Sequence, residues 1–173
     1  LRFQERYLRQ TNRFERPESL PSRIRGYRSL VYGADQIWAP NVYKPIYMGA
    51  YVPDGVRKVS YAASVGLNHI PDELADTYAS NLSSFYAIAV REEEGRDLLK
   101  SRCDVDAQVV LDPTLMIELQ VYRNMERQLD VPIAGRYLFC YFLNKTHQYR
   151  ERVEDYAKRH GLQIVGCSDK ESD

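Results

Sequence analysis

Four strand-like apolar runs in this chain each end abruptly on a polar or charged side chain, which limits what it can fold into. Leu30-Val31-Tyr32-Gly33 runs into Asp35-Gln36, and Val59-Ser60-Tyr61-Ala62-Ala63 into Ser64. Ala87-Ile88-Ala89-Val90 ends on Arg91-Glu92, and Val109-Val110-Leu111 on Asp112-Pro113-Thr114. Such runs, set between helical stretches, read as strands of an α/β sheet. In open α/β sheets ligands bind outside the carboxyl ends of the strands. The four endings therefore predict one shared crevice for a polar ligand, and with it an enzyme.

Composition narrows the class. The 173 residues suffice for one domain with a real core, or one domain and part of another. An apolar content of 44% with 28% charged residues fits a globular chain, not a disordered one. No apolar run is long enough to span a bilayer. The formal net charge is zero, which argues against a dedicated nucleic-acid binder. Cys103, Cys140 and Cys167 are odd in number and form no CxxC pair, so neither a disulfide framework nor a zinc site is expected. The default setting is reducing and cytoplasmic. The first 28 residues carry eight arginines against three glutamates, which suits an anion, a membrane surface or simple solvation. The chain opens on Leu1 without an initiator methionine and is expected to be trimmed or a fragment.

The periodicity predicts a helix over residues 2–11, a strand over 27–32, an irregular proline-bounded excursion over 40–53 and a strand over 58–63. Pro71, Asp72 and Glu73 open a helix that places Leu74, Tyr78, Leu82 and Phe85 on the sheet. A strand over 86–90, a helix from Glu92 to Leu99 and a strand over 106–111 follow. Residues 114–135 read as irregular, with a linker near 126–135. Then come a strand over 136–143, a helix over 146–160 stopped by Gly161, and a strand over 162–166. The expected domains are 1–128 and 136–173, the second a single βαβ unit too small to make a core alone.

Taken together, Gly33-Ala34-Asp35-Gln36-Ile37-Trp38, Val59 to Gly66, Val90-Arg91-Glu92 and Val110 to Leu115 resemble the polysaccharide pyruvyl transferase family in content, order and separation. The segment Tyr137 to Leu143 is similar to the strand that follows in that family. The resemblance implies an α/β, Rossmann-like, GT-B-type two-domain architecture, present here only in part. It also implies transfer of the pyruvyl group of phosphoenolpyruvate onto two sugar hydroxyls, giving a cyclic ketal and phosphate. The implied acceptor is a nucleotide- or lipid-linked sugar of a cell-surface or exopolysaccharide precursor, and no cofactor is expected. The implied place is the cytoplasm, the inner membrane face included; self-association is left open. One departure stands out: the family usually has Gly-Ser-Asp-Gln where this chain has Gly33-Ala34-Asp35-Gln36, so the serine hydroxyl is missing.

That chemistry needs cations for phosphate and carboxylate, an acid for the methylene carbon, and groups that orient sugar hydroxyls. Arg91 is the candidate for the first task, since a guanidinium is always charged and can grip an anion with two parallel bonds. Its alternative is an ion pair with the glutamates beside it. Asp35 suits a base or hydroxyl acceptor, or else a turn carboxylate. Gln36 can donate and accept at once. Trp38 suits stacking on a sugar, or the core. Ser64 and Gly66 follow a strand where a ligand is expected to come close, unless Gly66 simply supplies a positive φ, and Glu92 is a further candidate for substrate binding. Asp112 either touches substrate or caps a helix, and Asn144 would face the crevice from the second domain. No histidine or cysteine has the spacing of a metal site, and the family's general-acid histidine is expected beyond Asp173. No Walker, GxGxxG or GxSxG motif occurs. A glycosyltransferase using a nucleotide sugar and a non-catalytic glycan-binding module are the rival readings.

Overall fold

The computed structural model describes residues 8, 16–126, 133–142 and 149–168, and the chain divides into two compact units, Leu1–Glu118 and Leu119–Asp173. Helix and strand are mixed throughout, as the α/β reading expects.

In the first unit, β1 (Ser29–Tyr32) runs parallel to β2 (Arg57–Ser60), with Ser29 opposite Arg57 and Tyr32 opposite Ser60. β3 (Ala89–Val90) runs parallel to β4 (Gln108–Val109). Single parallel bridges, Val59 to Ala87 and Ala63 to Val90, join the two pairs, giving the spatial order β1-β2-β3-β4. Between those bridges the ladder is kept by a side chain: Ser60 Oγ accepts the Ala89 N–H at 2.9 Å and donates to the Ala89 carbonyl at 3.1 Å. Ala62, at φ +53°, then turns the chain so that Ala63 rejoins the ladder through its N–H to Ala89. The strands are thus shorter than the apolar runs suggest, because β2 leaves register before its run ends.

Parallel neighbours need long crossovers. Helix α1 (Asp72–Leu82) carries the crossover from β2 to β3, and α2 (Glu93–Cys103) the one from β3 to β4. The β1–β2 crossover has no α-helix; its prolines instead start the 3-10 turns Pro40–Val42 and Pro45–Met48. Tyr78 and Leu82 of α1, Leu99 of α2, Trp38 just before the excursion and Met48 within it meet Ala63, Val65 and Val90 in one core, with Leu74 and Phe85 packed against it. Tyr78 Oη donates to the Trp38 carbonyl at 2.7 Å, and burial pushes its pKa well up. Val31 and Tyr86 stay exposed, with the Arg57 guanidinium over the Tyr86 ring.

The second unit pairs β5 (Tyr137–Phe142) with β6 (Gln163–Ser168) in parallel across α4 (Arg150–His160). Gly161, at φ +62°, ends α4 and returns its N–H to Lys158. Cys140 is buried, as the sequence suggests, and so is Ala157.

One expectation is overturned. Leu119–Glu126 forms a helix, α3, where the sequence reads as irregular. Leu119, Tyr122 and Met125 recur every third residue on one face, and Gln120 bonds Asn124 across a turn at 2.8 Å. The polar stretch that begins at Asn124 hides this short period. The helix expected over 2–11, most of the expected linker and the first turn expected for α4 fall outside the described residues. Among the described residues, no helix is long and apolar enough to cross a membrane.

Candidate active site at the carboxyl edge of the sheet

All four strand endings lie in the first unit, and hydrogen bonds stitch them together. Gly33 follows β1 at φ +139°, where an added Cβ would lie 2.0 Å from the Tyr61 carbonyl oxygen, so only glycine fits. The next turn is closed by Asp35: its Oδ1 accepts the Gln36 N–H at 2.7 Å, and its carbonyl accepts those of Ile37 and Ser64. The Trp38 N–H returns to the Ser64 carbonyl at 3.2 Å. The loops after β1 and β2 are therefore one joined structure.

Trp38 corrects an expectation. It is fully buried, donates Nε1–H to the Tyr47 carbonyl at 2.9 Å and meets Phe85 edge-on, with centroids 5.8 Å apart. It leaves no ring face for a sugar and serves the core.

Arg91, at the end of β3, ties three strand ends together. Its Nε donates to Glu92 Oε1 at 2.7 Å, and its Nη1 donates to the Ala34 carbonyl at 2.9 Å and to Asp112 Oδ2 at 3.2 Å. A guanidinium has five N–H donors. Those contacts use three, and Nη2 makes no hydrogen bond to any described residue. Both paired edges of the guanidinium therefore have one arm taken. The two-armed anion grip anticipated from sequence is half occupied by Glu92 and Asp112. The bond to Glu92 raises the Arg91 pKa above its already high value, so the group stays charged.

Asp112 is held in turn. Its Oδ1 accepts the Thr114 hydroxyl at 2.6 Å and the Thr114 N–H at 2.9 Å. Those two bonds, more than Arg91, keep its carboxyl below the usual range. Asp112 thus caps its turn, as one sequence reading had it, and also meets Arg91.

Two polar atoms here are buried without a hydrogen bond among the described residues: Ser64 Oγ and Glu92 Oε2. Glu92 stands between two open clefts. The first, of about 370 Å³, holds Arg91, Glu92 and Asp112 against an apolar wall of Val109, Leu111 and Leu115. The second, of about 320 Å³, is lined by Gln36, Gly66, Asn68, Glu92, Glu94 and Gly95. Gly66, at φ +65°, lies directly behind Gln36, whose side-chain carbon would be 2.8 Å from an added Cβ.

The family model for polysaccharide pyruvyl transferase matches residues 6–171. The chain belongs to the polysaccharide pyruvyl transferase family. No curated protein and no solved structure gives a match. Membership makes the chain an enzyme, and the activity of its class is pyruvyl transfer onto polysaccharide.

Within that family setting, Arg91, Glu92 and Asp112 form one connected cluster, and Asp35, Gln36, Ser64 and Gly66 lie on the two joined loops beside it. Asn144 lies outside the described residues. The sequence reading missed the Ala34 carbonyl, Asn68, Glu94 and Gly95. Only the last two had an available signal, two and three residues after Glu92 at the start of a helix. Among the described residues no group of three or more His, Cys, Asp or Glu side chains could hold a metal ion.

Proposed function

We propose that the protein transfers the pyruvyl group of phosphoenolpyruvate onto two hydroxyls of a sugar in a cell-surface or exopolysaccharide precursor. One hydroxyl oxygen bonds to the central carbon of the donor while a proton reaches its methylene carbon, which becomes a methyl group. The C–O bond to phosphate breaks, the second hydroxyl closes the ketal, and its proton leaves with the phosphate. The observation that carries this reading is Arg91, which lines a cleft with an apolar wall and keeps Nη2 without a hydrogen bond to any described residue. Such a cleft suits a small anion with an unsaturated carbon end.

In this reading Arg91 holds the donor, while Asp35 and Gln36 address sugar hydroxyls. Ser64 and Asp112 position the loops on either side. The general acid is assigned to no residue of this chain. No cofactor is invoked. The acceptor is a nucleotide- or lipid-linked sugar, met in the cytoplasm at the inner membrane face. Parallel strands in sequential order, followed by a separate βαβ unit, support a GT-B-type pair of Rossmann-like domains as the wider architecture.

Phosphate release from phosphoenolpyruvate, measured with a panel of lipid- and nucleotide-linked sugars, tests the reading. Sugar-dependent release is expected, with a loss of about 100-fold or more in Arg91→Ala, the scale for a charge-stabilising donor, and a smaller loss in Asp35→Ala. Full activity in a folded Arg91→Ala variant would refute the assignment. Nucleotide release from an activated sugar, without phosphate, would favour a glycosyltransferase instead.

A further inference from the structure

The two clefts beside Glu92 differ in charge. Arg91 lines the first, whereas the second has the amides of Gln36 and Asn68 and the carboxylates of Glu92 and Glu94, with no cation among its described lining residues. A phosphate- and carboxylate-bearing donor finds no cation to hold it in that lining. A neutral polyol needs none: amides both donate and accept, and carboxylates accept from hydroxyls.

Glu92 strengthens the contrast. Its Oε1 is held by Arg91, while Oε2 is buried without a donor, 3.7 Å from the position a Cβ on Gly95 would take. An unpaired buried acceptor is a cost that a hydroxyl donor relieves once Glu92 rotates Oε2, which is closed to solvent as it stands, into the cleft. The cleft's volume of about 320 Å³ falls at the small end of ligand pockets, which run from about 300 to 1,000 Å³. Gly66 and Gly95 contribute no side chain to fill it.

We propose that this second cleft is the subsite for the acceptor sugar. The sugar's hydroxyls meet Gln36, Asn68 and the free side of Glu92, and the donor occupies the Arg91 cleft across that same glutamate. The assignment rests on the pyruvyl-transfer reading for its role, but its binding chemistry can be tested without turnover.

Gln36→Ala and Asn68→Ala alter exposed side chains and are expected to fold. Saturation-transfer NMR with methyl glycosides of glucose, galactose and N-acetylglucosamine, without phosphoenolpyruvate, reads binding directly. Signal is expected from at least one glycoside, lost in both variants and kept in Arg91→Ala. In phosphate-release assays the same two variants raise the acceptor KM about tenfold and leave the donor KM unchanged. Glycoside binding that survives both variants, or disappears in Arg91→Ala, overturns the subsite. Turnover with an unmoved acceptor KM overturns it while sparing pyruvyl transfer. Glycoside binding at this cleft without any phosphate release supports the subsite and sinks pyruvyl transfer.

Discussion

Replacing Gly95 with alanine should move stability and substrate binding in opposite directions. Gly95 lies in the first turn of α2, and its φ is outside the left-handed region. An added Cβ would sit 3.7 Å from Glu92 Oε2 and 4.0 Å from both Glu92 Cβ and Val65 Cγ2, all ordinary contact distances. The methyl group therefore enters without a clash. Alanine in place of a helical glycine contributes about 0.5–1 kcal/mol, mainly by restricting the unfolded chain. For a chain of this size that raises Tm by about 1–4 °C. The same methyl group fills part of the second cleft beside the orphaned carboxylate oxygen. The acceptor KM should then rise severalfold, while the donor KM holds, since the Arg91 cleft lies on the other side of Glu92. Calorimetry gives the first quantity, and phosphate release with each substrate varied in turn gives the second. A lowered Tm would show that the space is not there. A raised Tm with an unchanged acceptor KM would show that no sugar occupies the cleft.

Gly33→Ala should cost about 3 kcal/mol or more, because its Cβ would overlap backbone at a φ of +139°; urea denaturation of the variant measures it, and a loss under 1 kcal/mol would contradict the placement. Thr114→Val should raise the Asp112 pKa, since the Thr114 hydroxyl is the largest cause of its depression. A depressed carboxyl stabilises the fold above its unfolded pKa of about 3.9 and loses that contribution as pH falls through the folded value. The variant should therefore lose it at a higher pH, and an unmoved Asp112 carboxyl titration by NMR would refute the coupling. Glu92→Gln removes one negative charge beside Arg91 and should lower the donor KM about fivefold, the size of a ~1 kcal/mol interaction at a partly exposed site. It should also raise the acceptor KM, and a raised donor KM would refute the charge argument.

The strand endings were legible because a parallel sheet puts them at one edge, and apolar runs that stop on polar residues mark that edge without any contact information. Arg91, Glu92 and Asp112 could be named on those grounds alone. What sequence could not supply was the direction of a side chain after the strand ends. Trp38 lies three residues from Asp35, yet its ring turns into the core, because the Trp38 N–H is tied to Ser64 and its indole to Tyr47. The Ala34 carbonyl is invisible to any side-chain pattern, although it helps fix the guanidinium. Helix α3 was missed because two turns of weak period run into a polar stretch.

The occupied arms of Arg91 bear on how the two substrates would influence each other. One guanidinium set against the carboxylates of Glu92 and Asp112 leaves the cluster net negative, so an incoming anion meets a cation that is already over-neutralised. Its grip starts at Nη2 and becomes two-armed only if a carboxylate yields. Asp112 is pinned by two bonds from Thr114, whereas Glu92 has no second anchor: its Oε2 is unpaired. Glu92 is therefore the carboxylate that can yield. A sugar hydroxyl donating to Glu92 draws charge from its bond to Arg91 and frees that arm for the donor. Binding free energies are reciprocal, so the donor must strengthen the sugar's hold by the same factor. With the two substrates in these clefts as proposed, they should bind with positive coupling through one glutamate, and Glu92→Gln should remove that coupling while leaving both clefts open.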